Sequence, residues 1–161
     1  MSEGKLLAAN TGEAYMLKLV GDVRVPLCKT LDECVESICD DHFDSLMIDF
    51  SDAVNADSTT LGLIAKLCIK AKQQCKVDPT IYSPNEDMSR LLDTMGFESI
   101  CDLVHVLPNF QASDGAVECT TLECEEEELK RKVIEAHNTL IGMCDGNAEC
   151  FSDLVKQLEA N

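Results

Sequence analysis

The chain has no tryptophan, and aromatic residues make up only 4% of it. A core built from this sequence must rest on Leu, Ile, Val, Met and Cys rather than on large rings. Basic residues are scarce as well: thirteen Lys and Arg face thirty Asp and Glu, a formal net charge of −17. A polyanion of that size repels nucleic acids and anionic membrane surfaces, so the expected partner is a basic protein. The same acidity also serves plain solubility and does not define a function by itself. Long apolar runs are missing too. No stretch approaches the ~18–20 consecutive apolar residues of a membrane span. No apolar signal region follows the polar opening Met1-Ser2-Glu3-Gly4-Lys5. The expectation is a soluble, cytoplasmic protein.

Several chemical motifs are absent. Ten cysteines are present, yet no Cys-x-x-Cys pair occurs, and His42, His105 and His137 stand in no ligand-like spacing to any cysteine. Neither a zinc site nor a disulfide framework is expected, and no metal or cofactor is implied. Cys34 shares a helical stripe with Leu27, Leu31 and Ile38, and Cys68 and Cys75 share another with Leu61, Ile64 and Ala71. Free Cys is a small hydrophobe at such positions, and unpaired thiols suit a reducing compartment. No serine sits in a Gly-x-Ser-x-Gly frame, and no histidine is visibly placed to activate one. An enzyme is therefore not expected. A fold that brings a His within hydrogen-bond reach of Ser58 or of a Cys would reopen the question.

What is present is an ordered alternation of elements. The 161 residues, 45% of them apolar, suit one domain and an appendage. Lys5–Ala9 and Ala14–Val20 read as a hairpin of strands around the turn Asn10-Thr11-Gly12-Glu13, with Gly21-Asp22 ending the second. Leu27–Cys39 is helical, with Pro26 in its first turn. Ser45–Phe50 is a strand buried on both faces, and Ser51–Asp57 is a polar loop. Ser58–Cys75 is helical and is stopped by Asp78-Pro79. Thr80–Tyr82 is a strand, Asn85–Met95 a helix closed by Gly96, and Cys101–Leu107 the last strand, closed by Pro108. Strands alternating with helices imply right-handed crossovers and a largely parallel sheet of about five strands, mixed because of the opening hairpin.

The segment from Asp49 to Leu63 carries the chemistry. A buried strand feeds an acidic loop, and the loop feeds a helix. Asp57 is a good N-cap, and Ser58 falls at about the first helical position. A helix start offers unpaired N–H donors and partial positive charge, which suits a phosphate. Phosphorylation there would add about −1.5 to −2 charges and three acceptor oxygens, enough to repel a docked partner without refolding. Asp-Ser-Thr-Thr is equally an ordinary capping cluster on these grounds.

Asp57-Ser58-Thr59-Thr60-Leu61-Gly62 resembles the signature of the STAS family of anti-sigma factor antagonists. The run Leu91-Leu92-Asp93-Thr94-Met95-Gly96-Phe97-Glu98-Ser99-Ile100 resembles that family's next landmark, a short helix with a Gly-Phe turn before the final strand. The resemblance spans residues 5 to 107 and implies an α/β STAS fold. It also implies a non-enzymatic switch: a serine kinase of the histidine-kinase-like ATPase type, itself the anti-sigma factor, phosphorylates Ser58, and a PP2C-type phosphatase removes the phosphate. The unphosphorylated form captures the anti-sigma factor. Thr59 and Thr60 are alternative acceptors, Thr60 standing where the family has Gly or Ala. The partner surface expected from this comprises Asp57, Ser58, Thr59, Thr60 and Gly62, the loop Asn55-Ala56, and Gly21, Asp22 and Arg24 on the neighbouring rim.

Composition shifts after Pro108. The division expected is a domain over 1–108, a linker over 109–117, and a helical extension over 118–161. Six glutamates fall between Glu118 and Glu128, and helical spacing then runs through Leu129, Val133, Ala136, Leu140 and Met143. Gly142 and Gly146 mark the end of this helix, and a second carries Phe151, Leu154, Val155 and Leu158. Such a hairpin is too small to hold a core alone, so its stripe should pack on the domain or on a second copy of the chain, with Glu125–Glu128 in water. The length of the extension and the run Glu135-Ala136-His137-Asn138 resemble a proteobacterial subgroup paired with response regulators that carry the phosphatase. The alternative function is a constitutive STAS subunit of a transporter or another complex.

Overall fold

The computed structural model describes residues 3–40, 42–106 and 116–160. The division expected between domain and linker, and the residues Leu107 and Pro108, lie outside them. Among the described residues, six strands form one mixed sheet: β1 (Lys5–Asn10), β2 (Ala14–Val23), β3 (Ser45–Ala56), β4 (Pro79–Tyr82), β5 (Asp102–Val104) and β6 (Val117–Glu118). Their order across the sheet is β5-β4-β3-β2-β1-β6. β1 is antiparallel to both β2 and β6, while β2, β3, β4 and β5 run parallel. The α/β class and the mixed, largely parallel sheet are as expected. β6, across the boundary expected between linker and helical extension, is a strand that the sequence does not announce; two residues are too few to show a period.

Five α-helices follow the sequence: α1 (Cys28–Ser37), α2 (Ser58–Gln74), α3 (Glu86–Thr94), α4 (Glu126–Ile141) and α5 (Asp145–Ala160). Gly142 caps α4, but Gly146 lies inside α5. Leu17, Leu19, Ile48, Phe50 and Ile81 from the sheet meet Leu31 and Val35 of α1 and Leu61, Ile64 and Cys68 of α2 in one buried core. Among the described residues, no helix is long and apolar enough to cross a membrane.

Two strands are longer than the sequence suggested. β2 passes through Gly21 and Asp22 to Val23, and β3 passes through the polar stretch to Ala56. The two pair with each other to the end, Gly21 beside Ala53 and Val23 beside Ala56, with shifts in register along the way. Gly21 sits at φ 75°, a conformation open to Gly at no cost, and so supplies the irregularity without ending the strand. Ser51–Asn55 reads as a loop because Ser51, Asp52 and Asn55 are polar, yet Ala53 and Ala56 are buried.

The C-terminal hairpin is part of the same core. Ala136 and Leu140 of α4 are fully buried and join the main cluster, and Leu129, Met143 and Phe151 pack against it. α4 lies on α2 and touches α1, so α2 is covered on both sides. The stripe is therefore covered by the chain's own domain. Asn147 ties the turn of the hairpin to the end of α3, donating to the Met95 and Leu140 carbonyls at 2.8 and 2.7 Å. Glu125–Glu127 are exposed as expected, but Glu128 is not. It reaches Lys29 of α1 at 3.3 Å and Lys132, one turn on, at 3.8 Å.

Cys28 and Cys68 are buried free thiols, in keeping with their apolar role. Burial pushes the Cys28 thiol up to about 11, which keeps it protonated and inert. Cys75, in contrast, is disulfide-bonded. This corrects the expectation of an unpaired thiol at Cys75, which rested on short spacings. A disulfide needs only that the fold bring two residues close.

Ionic contacts fasten α4 to the domain. Asp32 of α1 is buried and accepts from both Lys132 of α4 and Lys66 of α2, and Lys66 also reaches Glu135 of α4 at 2.6 Å. Burial alone would raise the Asp32 pKa, but the hydrogen bond and charge of Lys132, with those of Lys66, outweigh it and hold the carboxyl below its ordinary 3.8. A depressed folded-state value means the stabilisation is present above the unfolded value and is lost as pH falls through the folded one. At pH 7 Asp32→Asn should be less stable than the unsubstituted protein, and in urea titrations the gap should narrow as pH drops below about 4. A gap independent of pH would contradict this assignment. Leu140→Ala should cost about 2–5 kcal/mol in the same titration; a loss below about 1 kcal/mol would show that Leu140 is not packed against the domain.

Candidate functional site

The site forms where the C-terminal ends of β2 and β3 meet the start of α2. Asp57 is the N-cap, and its two carboxylate oxygens do different work. Oδ1 accepts from the Thr60 N–H at 2.8 Å, and Oδ2 accepts from the Val25 N–H at 2.9 Å. The first bond closes the first turn of α2; the second ties that turn to the segment leaving β2. The Val23 carbonyl completes the junction by accepting from the Asp57 N–H at 3.3 Å and the Thr60 hydroxyl at 3.1 Å. Losing an N-cap carboxylate typically costs about 1 kcal/mol, and here the Val25 N–H would lose its acceptor too.

Ser58 is the first residue of α2 and is half-buried, whereas Thr59 and Thr60 are buried. Of the three hydroxyl residues at the helix start, Ser58 is the one that reaches the rim. Asp22 and Arg24 stand beside it on the neighbouring rim. The Arg24 Nε donates to both carboxylate oxygens of Asp22, at 2.7 and 2.8 Å. Asn55 is exposed, with its side-chain oxygen accepting from the Ala56 N–H at 3.0 Å. Val54 next to it is 72% exposed. An apolar side chain left in water at this rim belongs to the candidate surface, and the sequence reading passed over it as one residue of a polar loop. A cavity of about 400 Å³ opens on the same side, lined in part by Asp22, Arg24, Pro26 and Leu27.

Gly62 occupies a different position. It is buried one turn into α2, facing α4, where a Cβ would collide with the Ala136 carbonyl and side chain. Its lack of a side chain lets the two helices touch backbone to backbone. In this arrangement Gly62 is covered by the hairpin, and so is the α2 face that begins at Ser58.

The structure also brings a histidine to Ser58. The Ser58 Oγ lies 2.8 Å from Nε2 of His137, a residue only 2% exposed. The His137 Nδ1 lies 2.7 Å from the Val133 carbonyl of its own helix. A carbonyl can only accept, so Nδ1 carries the proton and the lone pair of a neutral ring sits on Nε2, where it accepts from the serine hydroxyl. Phe151 of α5 packs edge-on against the ring, with centroids 5.1 Å apart. Sequence reading placed no histidine near Ser58, yet Val133, Ala136, His137 and Leu140 follow i, i+3, i+4, i+7 spacing on one face of α4, which was the available signal.

A serine bonded to a histidine is half of a nucleophilic triad. The other half is missing here: Nδ1 is turned to a backbone carbonyl instead of a carboxylate, and the ring is shut between α2 and α5. The cavity at the rim is lined by neither Ser58 nor His137. Among the described residues, no three His, Cys, Asp or Glu side chains converge as a metal site would require.

The STAS domain family model matches residues 5–113, well over half of the chain. Solved structures share the fold. An anti-sigma factor antagonist from Mycobacterium paratuberculosis aligns with a TM-score of 0.53 at 16% identity, covering 65% of this chain and 88% of that one. A candidate anti-sigma factor antagonist from Thermotoga maritima aligns with a TM-score of 0.52, also at 16% identity, covering 60% and 82%. No curated protein matches in sequence. The family match ends before β6 and the helical hairpin, and the elements it covers, in the order strand, strand, helix, strand, helix, strand, helix, strand, build the rim at Ser58. The chain belongs to the STAS domain family.

Proposed function

We propose that this protein is an anti-sigma factor antagonist, a cytoplasmic binding module switched by reversible phosphorylation of Ser58. The observation that carries the proposal is the position of Ser58. It is the only half-exposed hydroxyl in the first turn of α2, at a helix start capped by Asp57, on a rim shared with Asp22, Arg24, Val54 and Asn55. The likeness of the fold to anti-sigma factor antagonists supports it. The partner is an anti-sigma factor that doubles as serine kinase. A basic docking face on it would be drawn to a chain of net charge −17. A PP2C-type phosphatase, carried on a response regulator, resets the switch.

Phosphate at Ser58 acts on this rim through charge and bulk. It adds about −1.5 to −2 charges beside Asp57 and Asp22, which a docked partner would have to desolvate. The N–H groups at the helix N-terminus can hold the phosphate, so binding is lost while the sheet and α2 stay folded. Ser58→Ala should bind the anti-sigma kinase persistently, and Ser58→Asp should bind at least about tenfold more weakly, equivalent to ~1.4 kcal/mol. Titration calorimetry with the purified partner reads the difference, and equal affinities would contradict the switch. Val54→Asp should weaken binding by a similar factor with no change in melting temperature, since its side chain already stands in water. Unchanged affinity in that variant would move the docking face elsewhere.

A constitutive STAS subunit would present the same rim with Ser58 never modified. A hydrolase would need an open approach to Ser58 and an acidic partner on His137 Nδ1, and the buried ring bonded to Val133 offers neither.

A further inference from the structure

We propose that the α4–α5 hairpin is a detachable cover over Ser58, and that docking of the hairpin and phosphorylation of Ser58 exclude one another. This rests on Ser58 being the phosphoacceptor, as proposed above. Three independent contacts define the closed state. His137 Nε2 accepts from the Ser58 hydroxyl at 2.8 Å. Ala136 sits against Gly62 so closely that no side chain fits between the helices. Lys66 of α2 bridges Asp32 of α1 and Glu135 of α4, and Lys132 of α4 reaches the same Asp32.

The first contact cannot survive modification. Transfer from a nucleoside triphosphate forms a P–O bond to Ser58 Oγ, breaks the bond between the terminal phosphorus and the bridging oxygen of the leaving nucleoside diphosphate, and passes the hydroxyl proton to a base of the kinase. Oγ then has no hydrogen left to donate to His137 Nε2, so the bond as it stands in the closed state is lost. The Gly62–Ala136 contact holds α4 on the backbone of α2 one turn from Ser58, so α4 has no gap to close into when a group is placed between Ser58 and His137. The net charge of the hairpin is also adverse. Residues 118–161 hold eleven acids and four bases, a net of −7, and a phosphate on α2 adds to that repulsion. A kinase must likewise take the Ser58 hydroxyl away from His137 Nε2 before Oγ can attack. By linkage, whatever shifts the hairpin open favours phosphorylation, and phosphorylation favours the open hairpin to the same degree. The hairpin lies outside the span of the family match, so this control is an addition to the domain.

The test needs no partner. Phosphoserine is installed at position 58 during synthesis of the full-length chain, and amide hydrogen exchange is followed by mass spectrometry. Exchange across Glu126–Ile141 and Asp145–Ala160 should rise at least tenfold, while β3 keeps its protection. Gly62→Leu, unmodified at Ser58, should raise exchange in the same two helices because the new side chain meets Ala136. Retained protection in β3 shows that the domain is still folded. Unchanged exchange in α4 of the phosphorylated chain would overturn the proposal. So would slower exchange, which would make His137 a clamp for the phosphate instead of a latch broken by it. Neither outcome bears on whether cells phosphorylate Ser58. Conversely, absence of phosphate on Ser58 in cells would refute the proposed function and leave the measured exclusion standing.

Discussion

The carboxylate of Asp57 is the constraint on which the functional end of the molecule depends. Three pieces of backbone meet there: the exit from β2, the end of β3 and the first turn of α2. Each brings an N–H or carbonyl that helix and sheet ladders leave unpaired. One side chain answers two of the donors, Thr60 N–H and Val25 N–H, and the Val23 carbonyl answers the Asp57 N–H and Thr60 hydroxyl. Buried polar groups left without partners would cost about 1–3 kcal/mol each, so the junction is rigid. Rigidity here sets where Ser58 points.

The second constraint is the close approach of α2 and α4. A helix buried on both sides must present small residues where the second neighbour crosses, and Gly62 and Ala136 meet that need. The contact brings a face of α4 against the start of α2, and His137 follows from it one residue later. Burial of that ring makes a hydrogen-bond partner obligatory for both of its nitrogens. Val133 supplies one and Ser58 the other. A residue at the functional rim is thereby drawn into the packing of the extension, and core and switch share a bond.

Much of this was legible in the sequence because the signals were local. Asp57 reads as a cap, Gly96 as a helix end, and strand and helix periods place the elements in order. The limits of β3 were not legible, since Ser51, Asp52 and Asn55 are polar and only pairing with β2 makes them strand. β6 is too short to show a pattern. The pairing of Ser58 with His137 joins residues 79 apart in the chain, and nothing in local spacing reports such a distance. Helical spacing did place His137 beside Val133, Ala136 and Leu140 on α4. What it could not say was which helix that face would meet. The disulfide at Cys75 escaped for the same reason.

Ser58 is thus held by one helix start, flanked by an acidic rim and covered by a helix from the far end of the chain. The account stands on that serine being the modified residue. Phosphopeptide mapping of the protein isolated from its own cells, in growth and in stationary phase, measures this directly. The predicted result is phosphate on Ser58, with occupancy that changes between the two conditions. Ser58 unmodified in both, with phosphate absent or confined to other residues, would contradict it.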